Sequence, residues 1–81
     1  MQPDDIRSQL TEVFRDVFGH PDLDIREEMT AADVAGWDSI THIQLIFAAE
    51  DRFGVNFLTR EVQGLQSVGD LIGLIARKTR Q

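Results

Sequence analysis

Cysteine and tyrosine are both absent from this 81-residue chain, and tryptophan occurs once. Without cysteine, disulfides and thiolate metal sites are excluded, and any thioester chemistry must take its sulfur from a cofactor. Histidine is scarce too: His20 and His42 lie too far apart in sequence to suggest a zinc motif, so no metal site is expected. No apolar run approaches the roughly 20 residues that span a bilayer, so no membrane insertion is expected. The opening Met1-Gln2-Pro3-Asp4-Asp5 lacks the apolar stretch of a signal peptide, which leads to the expectation of a cytoplasmic protein. Cations are few, eight Lys and Arg against fourteen Asp and Glu, for a formal charge of −6. Nucleic acid wants a basic face and is therefore not an expected partner.

The length suits one domain, residues 1–81, with a thin core, since a chain this small buries only roughly 60% of its unfolded surface. Its charge is uneven. Residues 1–39 hold ten acids against Arg7, Arg15 and Arg26, a net of −7, whereas residues 40–81 hold four acids against five bases, a net of +1. An acidic half steers a small domain towards basic partner proteins; solubility alone is the plainer explanation.

Ile6, Leu10, Val13, Phe14 and Val17 recur at helical spacing, which predicts a first amphipathic helix capped by Asp4 or Asp5 and ended by Gly19. Residues 19–38 have no period, yet Leu23, Ile25, Met29, Val34 and Trp37 are apolar, so this long loop is expected to lie folded on the bundle. A short helical turn is expected near Thr30–Val34. Residues 39–53 form the second helix, with Ile43, Ile46, Ala49 and Phe53 as its core stripe and Gly54 as its stop. Thr59-Arg60-Glu61-Val62 can make a short helical turn. Ser67, with Asp70, can cap a last helix carrying Val68, Leu71, Ile72 and Ile75, whose end or tail holds Arg77, Lys78 and Arg80. The fold class is all-α: three main helices plus one short helix, with a long loop between helices one and two. Capped ends favour a free-standing chain.

Chemistry concentrates in Gly36-Trp37-Asp38-Ser39-Ile40, a turn feeding the second helix. Asp and Ser are both favoured N-caps, and capping alone would explain them. Three features point further. A helix N-terminus is an anion site, so a phosphodiester on Ser39 would sit there at low cost. The mouth of a long loop is open to a modifying enzyme. Beyond the serine, Ile40, Ile43 and Phe47 follow at i, i+3 and i+7, the spacing of a helix laid into a partner's groove.

That turn, followed by an apolar helix closing in Glu50-Asp51-Arg52-Phe53-Gly54-Val55, resembles the acyl carrier protein and peptidyl carrier protein superfamily over nearly the whole chain. Asp-Ser alone is a weak motif; with the Glu-Asp-Arg-Phe-Gly ending at the right distance it is a strong one. The resemblance implies that Ser39 receives 4′-phosphopantetheine from coenzyme A through a magnesium-dependent phosphopantetheinyl transferase. It implies that Asp38 belongs to the motif that transferase reads, close to its metal. The thiol of the arm would hold an acyl or aminoacyl group as a thioester, which accounts for thiol chemistry without cysteine. The chain would be a monomer with no catalytic residue. It would serve a loading ligase or transferase and downstream synthase enzymes, docking through Ile40, Ile43, Phe47 and the acidic loop. A shallow apolar cleft for cargo is expected at Ile46, Ala49, Val62 and Ile75.

One departure narrows the role. Carriers of bacterial fatty acid synthesis usually have several acids early in helix two. Here those positions hold Thr41, His42 and Gln44, with no acid between Ser39 and Glu50. This favours a dedicated carrier for a specialised lipid, polyketide, nonribosomal peptide or single amino acid.

Rival readings fare worse. Ser39 and His42, at i and i+3, have no evident orienting acid or oxyanion donors for hydrolysis. Asp22-Leu23-Asp24-Ile25-Arg26 starts like a calcium loop, but Glu27 and Asp33 stand where Gly and Glu are needed. Trp37 is expected to pack over the bundle edge, and Phe14, Phe18, Phe53 and Phe57 to enter the core. The alternative from another class is a helical protein-interaction adaptor in which Ser39 is only an N-cap.

Overall fold

The apolar periods wind into helices where the sequence places them. The structure, a computed structural model, describes residues 2–79, with α1 (Pro3–Phe18), α2 (Ser39–Phe53), α3 (Thr59–Gln63) and α4 (Val68–Thr79). There is no strand among the described residues, and Arg80 lies outside them. Helix α1 packs against both α2 and α4. Its inward residues Ile6, Leu10, Val13 and Phe14 meet Leu45, Ile46 and Ala49 of α2 and Val68, Leu71, Ile72 and Ile75 of α4 in one core. Gly19 and Gly54, at φ of 62° and 66°, end α1 and α2 in left-handed turns.

Three local expectations need correction. Asp4 and Asp5 are not caps: the chain enters α1 through Gln2 with Pro3 in the first turn, so both acids already stand inside the helix. There they face the positive end of its dipole. The short turn expected near Thr30–Val34 is present, closed by Asp33 N–H on Thr30 O at 2.9 Å and Thr30 N–H on Asp33 Oδ2 at 2.9 Å. Ile43 leaves the core stripe of α2 and fully buried Leu45 takes its place, while Phe53 is half-buried. At the start of α4, Ser67 Oγ accepts from Asp70 N–H as expected, but the Asp70 carboxylate takes the N–H of Gln66.

Loop 19–38 is built into the bundle. Ile25, Met29 and Val34 are buried in the common core. The first N–H groups of α4, which have no partner inside their own helix, donate instead to the loop: Val68 to Met29 O and Gly69 to Glu27 O, both at 2.8 Å. This close approach explains glycine at 69, where a Cβ would stand 3.0 Å from the Glu27 oxygen. The far end of the loop, which carries the motif, is thereby held over α1.

Candidate functional site

Helix α2 starts with a reciprocal cap. Asp38 Oδ1 accepts the N–H groups of Ile40 and Thr41 at 2.9 Å each. Thr41 Oγ1 in return accepts Asp38 N–H at 2.8 Å and donates to Gly36 O at 2.7 Å. The Thr41 N–H, followed by that of Ile40, holds the exposed Asp38 carboxyl below its usual range. Asp38 is therefore the N-cap, and Ser39 is the first residue of the helix. Ser39 is exposed, and its hydroxyl has no hydrogen-bond partner among the described residues. The adaptor reading, which made Ser39 the cap, loses its footing: the capping task belongs to the neighbour.

The same geometry corrects the electrostatic expectation. The helix end is not an empty anion site, because a carboxylate already occupies its second and third N–H groups. An anion on Ser39 would meet Asp38 at close quarters and would need donors other than those two.

Trp37 fixes the approach to this turn. Its ring meets Phe14 edge-on at a centroid distance of 5.4 Å and lies 6.1 Å from Phe18, which anchors the loop end to α1 as expected. Its indole Nε1–H donates to His42 Nδ1 at 3.1 Å. The two ring planes differ by 17° with centroids 6.1 Å apart, so the rings meet edge to edge through that bond rather than face to face. His42 is half-buried beside it. This bond had no signal in sequence, since the partners lie in a turn and a helix and share no period. The Asp38–Thr41 cap did have one, an Asp followed three residues on by a hydroxyl.

The outward face of α2 is apolar and open. Ile40, Ile43 and Phe47 are 67%, 54% and 65% exposed, and Leu58 before α3, which the sequence reading missed, is 48% exposed. A groove of about 240 Å³ runs between α2 and α3, lined by Ile43, Ile46, Phe47, Glu50, Phe57, Thr59 and Val62. Of the four residues expected to line a cleft, Ile46 and Val62 do so. Ala49 and Ile75 do not: both are fully buried in the core, on the side of their helices that faces α1. The Glu50 carboxylate at the groove accepts Phe57 N–H at 2.8 Å and so ties the α2–α3 connection to α2.

The loop acids are less free than their number suggests. Asp24 pairs with Arg15 at 3.0 Å, Glu28 with Arg26 at 2.9 Å, Asp33 closes its turn and Asp38 caps α2. Asp22 and Glu27 are exposed, with no such side-chain partner among the described residues. No group of acids and histidines suited to a metal ion occurs among the described residues.

Residues 8–75 match the family model described as a phosphopantetheine attachment site. An acyl carrier protein of Acidothermus cellulolyticus is 33% identical over 98% of this chain and 94% of its own length. A meromycolate extension acyl carrier protein of Mycolicibacterium smegmatis is 26% identical over 91% of this chain and 75% of its own. Among solved structures, the holo acyl carrier protein of Geobacter metallireducens superposes with a TM-score of 0.85 at 36% identity, over 90% of this chain and 84% of that one.

Proposed function

This chain belongs to the phosphopantetheine-attachment family of acyl carrier proteins, and on that premise we propose that Ser39 is the residue bearing the covalent 4′-phosphopantetheine. The observation that carries the assignment is the freedom of the Ser39 hydroxyl: it is exposed, at the mouth of the loop, with its capping role taken by Asp38. The arm supplies a terminal thiol that holds an acyl or aminoacyl cargo as a thioester. The carrier itself catalyses no step.

In the modification reaction Ser39 Oγ gives up its proton and forms a bond to the pantetheine-side phosphorus of coenzyme A. The pyrophosphate P–O bond breaks, and adenosine 3′,5′-bisphosphate leaves. Asp38 keeps a negative charge beside the reacting oxygen, where it suits the magnesium ion of a phosphopantetheinyl transferase. The cap it makes holds the serine at the first position of a rigid helix, so the transferase meets a fixed target.

Ile40, Ile43 and Phe47 form the docking face for that transferase, for the loading enzyme and for downstream synthases. Their exposure supports this role, since it leaves apolar surface uncovered that burial would favour by roughly 1.5–3 kcal/mol per side chain. The groove between α2 and α3 is the place where cargo shelters. Charge on α2 does not do the steering, because no acid lies between Ser39 and Glu50. We infer from this a dedicated carrier rather than a general one for fatty acid synthesis.

Intact mass after incubation with coenzyme A, magnesium and a promiscuous phosphopantetheinyl transferase tests the assignment, with Ser39→Ala alongside. A gain of one phosphopantetheine in the wild type and none in Ser39→Ala is expected. A gain in both moves the attachment to another residue, and a gain in neither, on folded protein, overturns the proposal. The holo protein is then offered to a fatty-acid malonyl transferase. Poor loading fits a dedicated carrier, and efficient loading sinks that part.

A further inference from the structure

Once attachment, capping and docking are assigned, the Trp37–His42 bond is left without a role in any of them. Its chemistry is directional. An indole N–H can only donate, so Nδ1 of His42 must be the acceptor and carries no proton. The neutral ring therefore holds its proton on Nε2, and Trp37 sets the tautomer. With Nδ1 engaged, Nε2–H is the one donor this side chain has left.

His42 borders an open cavity of about 410 Å³ together with Ala31, Trp37, Asp38, Ser39 and Leu65. It stands one helical turn beyond the serine and lines the same mouth. The need for a donor there follows from the cap. The Asp38 carboxylate has taken the N–H groups of Ile40 and Thr41, and the Asp38 N–H is taken by Thr41 Oγ1. A phosphodiester on Ser39 would thus lie beside an ionised carboxylate, with the helix end largely spent. The side-chain donor at this mouth that is free to offset it is His42 Nε2–H.

Resting on the assignment of the arm to Ser39, we propose that His42 is a phosphate-contacting residue: its Nε2–H, oriented by the Trp37 indole on Nδ1, donates to the phosphodiester of the bound arm. Trp37 is then a positioning residue, acting through His42 and through its packing on Phe14. The first segment of the arm is held towards the Trp37 side of the mouth, away from Asp38.

Phosphorus NMR of the holo protein tests this at one fixed pH. The phosphodiester resonance should shift in His42→Leu, which removes the donor, and keep its wild-type position in His20→Gln, which removes the other histidine. A resonance that His42→Leu leaves unmoved overturns the proposal. A second reading needs no variant: long-range nitrogen–proton spectra of apo and holo protein should show Nε2 of His42 shifting on modification while Nδ1 stays on the indole. Unchanged Nε2 is the contrary result. The mass gain at Ser39 is scored first. A chain that gains the arm but whose phosphorus resonance does not respond to His42→Leu sinks this inference alone, whereas a chain that gains no arm sinks the attachment reading.

Discussion

The two faces of α2 are made of the same kinds of residue and meet opposite surroundings. Leu45, Ile46 and Ala49 are buried against α1 and α4, while Ile40, Ile43 and Phe47 on the other side stand open to water. Helix α1 has no such double character: its buried residues form one stripe, with Arg7, Glu12 and Asp16 exposed on the other side. A helix selected only for stability would resemble α1, since apolar side chains left in water contribute nothing to folding and invite association. The contrast separates a face that holds the bundle from one whose exposure supports the docking role proposed for it.

The sharpest way to break that contrast is to truncate one residue on each face. Leu45→Ala should cost about 2–5 kcal/mol, and Phe14→Ala on the facing helix about 3–5 kcal/mol, each a large part of the stability of so small a domain. Phe47→Ala should change stability by no more than about 0.5 kcal/mol while lowering transfer to the enzymes the carrier serves. Urea unfolding measures the first effect and partner turnover the second. If Phe47→Ala destabilises like Leu45→Ala and leaves transfer intact, the outward face is core and the docking assignment falls.

This double face also explains what sequence could and could not tell. Helix α1 was legible because its apolar residues have one destination and therefore one period. In α2 the pattern superposes two surfaces, so periodicity alone puts Ile43 in the core in place of Leu45, and of the four residues expected at the cleft it separates neither Ala49 nor Ile75, which are core, from Ile46 and Val62, which line the groove. The start of α2 at Asp38-Ser39 is legible because its residues are consecutive and local capping rules apply to them. Loop 19–38 was legible only as apolar and folded back. Its real supports, the Glu27 and Met29 carbonyls on α4 and the Trp37 indole on His42, are tertiary contacts without a period.

A smaller effect sharpens the contrast at the start of α2, where structure and chemistry share one side chain. Asp38→Ala removes both the cap and the charge, and should lower the melting temperature less than either core truncation does. Asp38→Asn keeps a good cap and removes only the charge, so it should stay near wild type in stability while slowing attachment of the arm. The pH dependence separates them further. The folded carboxyl lies below its ordinary value of 3.8 because the Thr41 and Ile40 N–H groups favour the ionised form. Its contribution is therefore fully present above that value and is lost as pH falls through the lower, folded one. Wild type should lose part of its melting temperature in that acid window, and Asp38→Asn should lose less. Equal acid sensitivity would place the cap's strength in the geometry of the turn rather than in the charge.

The finest test moves to α4, where two glycines four residues apart face different surroundings. Gly69 lies against the loop, and a Cβ there would come within 3.0 Å of the Glu27 oxygen that accepts its own N–H. Gly73 is mid-helix, and a Cβ there would meet nothing within 4 Å. Gly69→Ala should destabilise, because the contact it strains is backbone and holds the loop that carries Ser39. Gly73→Ala should stabilise by up to about 1 kcal/mol, since alanine gives up less chain entropy in a helix and no neighbour needs to move. Thermal unfolding of the two variants reads opposite signs from one substitution. If Gly73→Ala is instead destabilising, α4 packs more closely there than the open space around a Cβ at that position implies.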